Sequence, residues 1–297
     1  MAFIFLFVDG VGLGENDEYN PLVNNGGYSS FHYMTKNQSF DRNFNEIKDN
    51  QHLFKGIDAC LGVDGLPQSG TGQATLFSGI NASKIVGRHF GPYPHSKTKY
   101  LLQEESLFIK LQEIGKSCYF MNAFPKIFFD HAKKRNRWSC CTLMTRSAGI
   151  SLNSVEEVKR GKAITAGINQ EAWRDKLHID VPRISIPEAA DRVIEMAKVK
   201  DFILVEYYLT DKAGHAQEME YAVTVLNRLN TFISSILEKK NNTDTLLMTS
   251  DHGNIENLSV RTHTFNKVPL FVDGPLAEQY SDVRSIQDVP RLTVKVL

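Results

Sequence analysis

The sequence predicts an α/β fold, with a mostly parallel central sheet flanked by helices. Three observations carry that prediction. Short runs of consecutive apolar residues recur along the chain, segments of helical periodicity separate them, and acids stand where several of the runs end. A strand buried on both faces reads as an unbroken apolar run, and its alternation with helices argues right-handed crossovers in one open sheet.

The expected strands are Phe3–Val8, 117–121, Phe202–Tyr207, Thr245–Thr249 and 268–272. The first resembles the apolar stretch of a secretion signal, but no basic region precedes it and Asp9 ends it too early. Residues 187–198 open on a proline and repeat Ala190, Val193, Ile194 and Ala197 at helical spacing. Residues 218–240 place Tyr221, Val225, Leu229, Phe232 and Ile236 on one stripe, and end in lysines that suit a helix C-terminus. The middle is less regular. It offers one helix–strand pair at 105–121, then a basic and aromatic stretch through Lys126, His131, Lys133, Lys134, Arg135 and Trp138. This organisation reads as a core formed by 1–83 and 183–297, with 84–182 inserted as a small cap.

A chain of 297 residues buries roughly 75% of its unfolded surface, so the core needs no disulfides. Cys60, Cys118, Cys140 and Cys141 show no C-x-x-C spacing, and the adjacent pair has poor disulfide geometry, which points to thiols in a reducing compartment. Thirty-four basic side chains balance 34 acidic ones, so bulk charge favours neither nucleic acid nor an anionic membrane. No stretch approaches the roughly 18 apolar residues of a membrane span. The expectation is a cytoplasmic protein acting on a small molecule, with its oligomeric state open.

The chemistry sits at the strand ends. Asp9 follows the first strand directly, Asp211 follows Phe202–Tyr207 after three residues, and Asp251-His252-Gly253 follows the fourth strand. Open α/β sheets place ligand crevices at these C-terminal ends. One such aspartate is commonly a helix cap or a turn residue; three with histidines attached are a different matter. Asp211 and His215 are four apart, so a helical turn would set both on one face where they can share a metal. With His252 and His263, the set reaches three carboxylates and three imidazoles. That mixture suits two divalent cations, Zn²⁺ or Mn²⁺ first and Mg²⁺ next, better than Ca²⁺. The other histidines (His32, His52, His89, His95, His131, His178) lack such company and read as surface or hydrogen-bonding residues.

The segment 66–73 is a small-residue loop leading into a helical run at 74–80, where backbone amides can face an anion. Ser69 is the candidate nucleophile, with Thr71 as its rival. A coordinated cation would stabilise the alkoxide, so no histidine base is needed. Arg88 is a candidate contact to substrate phosphate. Gly10-Val11-Gly12-Leu13-Gly14 departs from G-x-G-x-x-G, and Asp9 would oppose a pyrophosphate, which excludes a dinucleotide site.

Taken together, these segments resemble the alkaline phosphatase superfamily, on the side of cofactor-independent phosphoglycerate mutase and phosphopentomutase. The resemblance rests on Phe7-Val8-Asp9-Gly10, Gln68-Ser69-Gly70-Thr71-Gly72, Asp211-Lys212-Ala213-Gly214-His215, Ser250-Asp251-His252-Gly253-Asn254-Ile255-Glu256 and Thr262-His263-Thr264 running on to Pro269, in the family's order. It covers both ends of the chain and leaves the middle unassigned. It implies an alkaline phosphatase-like core, one metal held by Asp211, His215 and His263, and a second held by Asp9, Asp251, His252 and the nucleophile. It also places the nucleophile on Ser69. The sulfatases' C-x-P-x-R motif is absent. Two departures bear on activity: Gln73 stands where the mutases have histidine, and the interval from the serine loop to Asp211 has no room for their large second domain. The resemblance therefore implies a phosphomonoesterase-like hydrolase passing through a phosphoserine. Phosphodiesterase, phosphomutase and a non-catalytic metal-binding module are the alternatives.

Overall fold

The first strand sets the layering. In β1 (Phe3–Val8) every side chain is buried, and successive residues point to opposite faces. Phe3, Phe5 and Phe7 enter one hydrophobic cluster, while Ile4, Leu6 and Val8 enter the other. The computed structural model describes residues 1–24 and 27–297, and in it β1 is an interior strand of a seven-stranded sheet, between β6 and β5. The other strands are β2 (Ile47–Asp49), β3 (His52–Ile57), β4 (Cys118–Phe120), β5 (Phe202–Tyr207), β6 (Thr245–Thr249) and β7 (Val268–Asp273), in the spatial order β2-β3-β7-β6-β1-β5-β4. β4, β5, β1 and β6 pair in parallel, while β7 is antiparallel to both β6 and β3. All strands but β2 and β7 therefore run the same way.

Helices cover both faces. The aliphatic side is closed by Ile186–Ala197 and by the 21-residue helix Met219–Lys239. The former starts where the sequence dictates: Ser185 and Glu188 form a reciprocal capping box around Pro187, and Ala189, Ala190 and Val193 are buried. The aromatic side packs against Ser69–Ser78, Leu107–Glu113, Cys140–Ser147 and Asp288–Val296.

Two regions differ from expectation. The hairpin of β2 and β3 has no counterpart in the predicted strands. Polar His52 and Lys55 and the glycine at 56 break its apolar pattern, but His52 Nε2 meets Met34 O at 2.8 Å and Lys55 Nζ donates to Ser281 O at 2.9 Å, so both polar groups are satisfied on burial. The interval 84–182 is not a separate insertion throughout. Its expected start falls inside the helix Ala82–Val86, and β4 is the edge strand of the main sheet, with Cys118 opposite Phe202. Only beyond β4 does a small cluster of its own form, from Ala123, Val158, Ala163, Trp173 and Val181. The four cysteines are free thiols. Among the described residues, no helix is long and apolar enough to cross a membrane.

Candidate metal centre and nucleophile

The sheet delivers its acids to one edge. Asp9 follows β1, Asp211 lies in the first turn of the helix Leu209–Ala216 after β5, and Asp251 and His252 follow β6. His263 arrives from the loop ahead of β7, whose reversed direction starts it at this same edge. The chain reaches these positions through tight contacts. Gly10 has a left-handed backbone, φ +69°, and a Cβ there would come within 2.7 Å of Asp211 Cβ, so no other residue lets β1 and the 209–216 helix approach so closely. Thr210 Oγ1 donates to Asp9 O at 2.5 Å and Val11 N donates to Ser250 Oγ at 3.0 Å, tying the three strand ends together.

The structure gathers the expected ligands. Ligand-type atoms of Asp9, Asp251 and His252 lie within 4.8 Å of one another, and so do those of Asp211, His252 and His263. His252 Nε2 stands 3.4 Å from Asp9 Oδ1 and 3.5 Å from Asp251 Oδ2, between the two groups. His215 Nε2 is 3.4 Å from Asp211 Oδ2, as helical spacing requires, and 3.3 Å from His263 Nε2. The His252 and His263 rings stack at 3.7 Å.

Each imidazole is oriented by the main chain. His215 Nδ1 lies 2.8 Å from Arg261 O, His263 Nδ1 2.7 Å from Pro67 O, and His252 Nδ1 more loosely at 3.4 Å from Gly253 O. A carbonyl only accepts, so each Nδ1 carries the proton and Nε2 is directed at the carboxylates, the arrangement metal-binding histidines use.

Charge is poorly balanced within the protein alone. Burial, then Asp251 and Asp211, pushes the Asp9 carboxyl well above the usual carboxylate range. Asp211 behaves oppositely: burial acts to raise it, but hydrogen bonds with His215 and His263 prevail and hold it well below that range. Burial depresses His252, whereas Asp211 raises His215. In His263, burial acts downward and the Asp211 contact overcomes it. Asp9 Oδ1 is buried with no hydrogen-bond partner, a costly state for an ionised oxygen. An orphaned carboxylate oxygen, clustered acids and outward-anchored imidazoles together fit divalent cations.

Ser69 starts the helix Ser69–Ser78, and its Oγ is 3.0 Å from His252 Nε2. Thr71, its rival, is turned away: its hydroxyl accepts from Phe90 N at 3.1 Å and contacts Gln68 O. The expectation that the loop's amides face an anion does not hold for Thr71 and Gly72. Thr71 N donates to Phe90 O and Gly72 N to Gln68 O, both at 2.8 Å, so the overlying 90–93 segment and the first helical turn already engage them. Arg88 is not brought to the carboxylates; it is exposed and lines a neighbouring cavity of about 410 Å³ with Gln68 and His89.

Three further side chains shape the site. Gln73 Nε2 bridges Asp9 Oδ2 at 3.2 Å and Asp251 Oδ2 at 3.1 Å. Glu256 is buried and accepts from Gly12 N and Asn254 N at 2.8 Å, from Asn266 Nδ2 at 3.0 Å and from the Thr264 hydroxyl, so one carboxylate locks the loops after β1 and β6 to that bearing His263. Glu206, inside β5, has its carboxyl pushed up to about 7, chiefly by burial, against a contact from Cys141 and with a push from Asp251. An acid within an otherwise apolar strand was its only trace in the sequence.

Comparison with known proteins agrees with this geometry. Residues 145–291 match the Metalloenzyme superfamily. The 2,3-bisphosphoglycerate-independent phosphoglycerate mutase of Sulfurimonas denitrificans is 31% identical over 109 residues, 34% of this chain and 22% of that one. The enzyme of the same name from Wolinella succinogenes is 25% identical over 159 residues, 46% of this chain and 32% of that one. The matched region thus spans about a fifth to a third of these relatives' length. Among solved structures, a cold-active alkaline phosphatase from a psychrophilic Shewanella superposes with a TM-score of 0.56 at 11% identity, over 100% of both chains. The alkaline phosphatase of the Antarctic bacterium TAB5 gives 0.54 at 14% identity, over 99% of this chain and 97% of that one. At such identities the structural likeness speaks for the fold. The alkaline phosphatase-like fold and the clustered ligands agree with the match of residues 145–291 to the Metalloenzyme superfamily. Within that class, the chain's sequence likeness runs to the cofactor-independent phosphoglycerate mutases.

Proposed function

We propose that this chain is a two-metal phosphoric ester hydrolase that works through Ser69 and a phosphoserine intermediate. The observation that carries the reading is the placement of Ser69 Oγ, 3.0 Å from His252 Nε2, inside the same cluster that holds Asp9 and Asp251. Asp211, His215 and His263 would hold one cation, and Asp9, Asp251, His252 and Ser69 the other. Zn²⁺ or Mn²⁺ suits this mixture of nitrogen and oxygen ligands, with Mg²⁺ as the third option. When bound, these cations supply Lewis acidity toward the phosphoryl oxygens and lower the pKa of the serine hydroxyl.

The protein's own groups then have distinct tasks. Ser69 Oγ attacks phosphorus, the bond to the leaving oxygen breaks, and water later cleaves the phosphoserine to release phosphate. Gln73 holds Asp9 and Asp251 in register through its amide, where the mutases have a histidine. Glu256 keeps the three ligand-bearing loops aligned. The segment beyond β4 acts as a small cap, which would let water reach the intermediate before the product can turn round, and so hydrolysis is favoured over mutation. Arg88 contacts the substrate as it enters. The substrate is a small phosphorylated molecule, and the setting is cytoplasmic.

Turnover of p-nitrophenyl phosphate and its bis ester by protein loaded with Zn²⁺ or Mn²⁺ tests the reading. Ser69→Ala should retain metal yet trap no phosphoenzyme. Persistent inactivity over a broad ester panel, with metal bound, would instead support a non-catalytic metal-binding module.

A further inference from the structure

Beside the serine helix, and outside the carboxylate cluster, lies a cavity of about 290 Å³ whose walls include Phe90, Tyr93, His95, Lys99, Arg137 and Trp138. It adjoins the nucleophile from two directions. A Cβ built on Gly70 would meet Tyr93 O at 2.2 Å and Phe90 O at 2.7 Å, so the 90–93 backbone lies directly on the residue after Ser69. From the other side, Arg137 and Trp138 lead into the helix Cys140–Ser147, and Cys140 Sγ approaches Gly70 O at 3.6 Å. Both cavity-bearing segments therefore pack against Gly70, the residue that follows the nucleophile.

Its chemistry is aromatic and cationic together. The Arg137 guanidinium lies 4.1 Å from the Tyr93 ring centroid, and Arg146 stacks at 3.8 Å on Trp138, holding that indole in place. The Phe90 and His95 rings meet edge to face at 4.8 Å. Among the described residues, neither Lys99 nor Arg137 is engaged in an ion pair. Just upstream, Lys133, Lys134 and Arg135 crowd the last turn of the helix Lys126–Arg135, so this rim is basic on a chain with no net charge. Ring faces and a guanidinium plane stack on flat heteroaromatic rings, and ammonium and guanidinium donors satisfy the acceptors at such a ring's edge. A bare sugar phosphate would use the donors but leave the ring faces without a partner.

We propose that this cavity is a base-binding subsite, and that the substrates are nucleoside monophosphates whose phosphate meets Ser69 while the base stacks among Phe90, Tyr93 and Arg137. The inference rests on the phosphoric ester hydrolase reading above and assigns its substrate class.

The test compares adenosine 5′-monophosphate with ribose 5-phosphate on the Mn²⁺-loaded enzyme, since in the second a hydroxyl at the anomeric carbon replaces the base. The nucleotide should show a kcat/KM about 30-fold higher, carried by KM, as expected for one stacked base. Tyr93→Ala and Arg137→Ala should each shrink that ratio at least about fivefold while preserving the far-UV spectrum. Equal kcat/KM for both esters, or a ratio untouched by either variant, overturns the proposal. Should neither ester be hydrolysed, titration of adenosine 5′-monophosphate into Mn²⁺-loaded Ser69→Ala protein separates the two ideas. Binding that weakens about tenfold in the double variant with Arg137→Ala keeps the subsite and removes the hydrolase reading, whereas no binding removes the subsite.

Discussion

Two buried aspartates close opposite edges of the sheet, and their surroundings differ in kind. Asp273, at the end of β7, has Lys240 Nζ at 2.8 Å and accepts from Tyr33 OH at 2.7 Å. Asp9, at the end of β1, faces Asp211 and Asp251 and leaves one oxygen without a partner. Both carboxylates are about equally hidden, 7% exposed each, so burial does not separate them. Compensation does. The first edge neutralises its charge with a lysine and is complete within the polypeptide, whereas the second gathers like charges and directs three imidazole nitrogens at them, which is how a protein reserves a place for a cation.

The sharpest way to break this contrast is to remove one acid from each edge. Asp251→Ala should deplete bound metal and lower kcat/KM by at least about a thousandfold while the fold persists. Metal analysis together with ester turnover reads this, and full activity in the variant would refute the ligand assignment. Ser69→Ala comes next, with a comparable loss of turnover but undiminished metal content, and quenched reactions with ³²P-labelled ester should trap no phosphoprotein. If Thr71→Ala alone has that effect, the hydroxyl has been misassigned. At the opposite edge, Asp273→Asn should leave metal binding and turnover intact and cost about 3 kcal/mol of stability, because Lys240 is left buried without its partner. Urea unfolding measures it.

The smallest expected effect concerns Glu206. Its folded carboxyl holds a proton up to about pH 7, while the unfolded chain gives it up near the ordinary 4.5. The native state therefore binds more protons across that interval, so this group's contribution to stability falls as pH rises from about 4.5 to 7 and is level above. Glu206→Gln should flatten the pH dependence of the metal-free protein by about 3 kcal/mol at most across that interval. An unchanged slope from pH 5 to pH 7.5 in urea titrations would show that Glu206 carries no such load.

Much of this was legible in the residues because it follows from chain direction. Asp9, Asp211 and Asp251 stood at the ends of apolar runs, and parallel strands put those ends together. His215 followed from helical spacing, and β1, β5 and β6 were bounded as expected because each is an apolar run, with Glu206 the one acid inside β5. What the sequence hid depends on contacts between distant segments. The β2–β3 hairpin is polar in pattern and is paid for by carbonyls contributed from Met34 and Ser281. Glu256 looked like part of a motif rather than a clamp, since its donors include Gly12, far away in the loop after β1, as well as Asn254, Thr264 and Asn266. The strand at 117–121 was legible, but it sat inside the interval 84–182 assigned to the cap, and its place at the edge of the main sheet depends on pairing with the distant β5. His252, expected with Asp9, Asp251 and Ser69, also stands close to Asp211 and His263.

The carbonyls that anchor the three imidazoles have a bearing on how this centre tolerates sequence change. Arg261, Pro67 and Gly253 hold His215, His263 and His252 through main-chain oxygen. Ligand aim is thus written in the path of the chain rather than in the identity of its neighbours. The side chain at 67 is free to drift so long as the loop course is kept, while an insertion of one residue beside 67 or 261 would misdirect an imidazole without touching a single ligand.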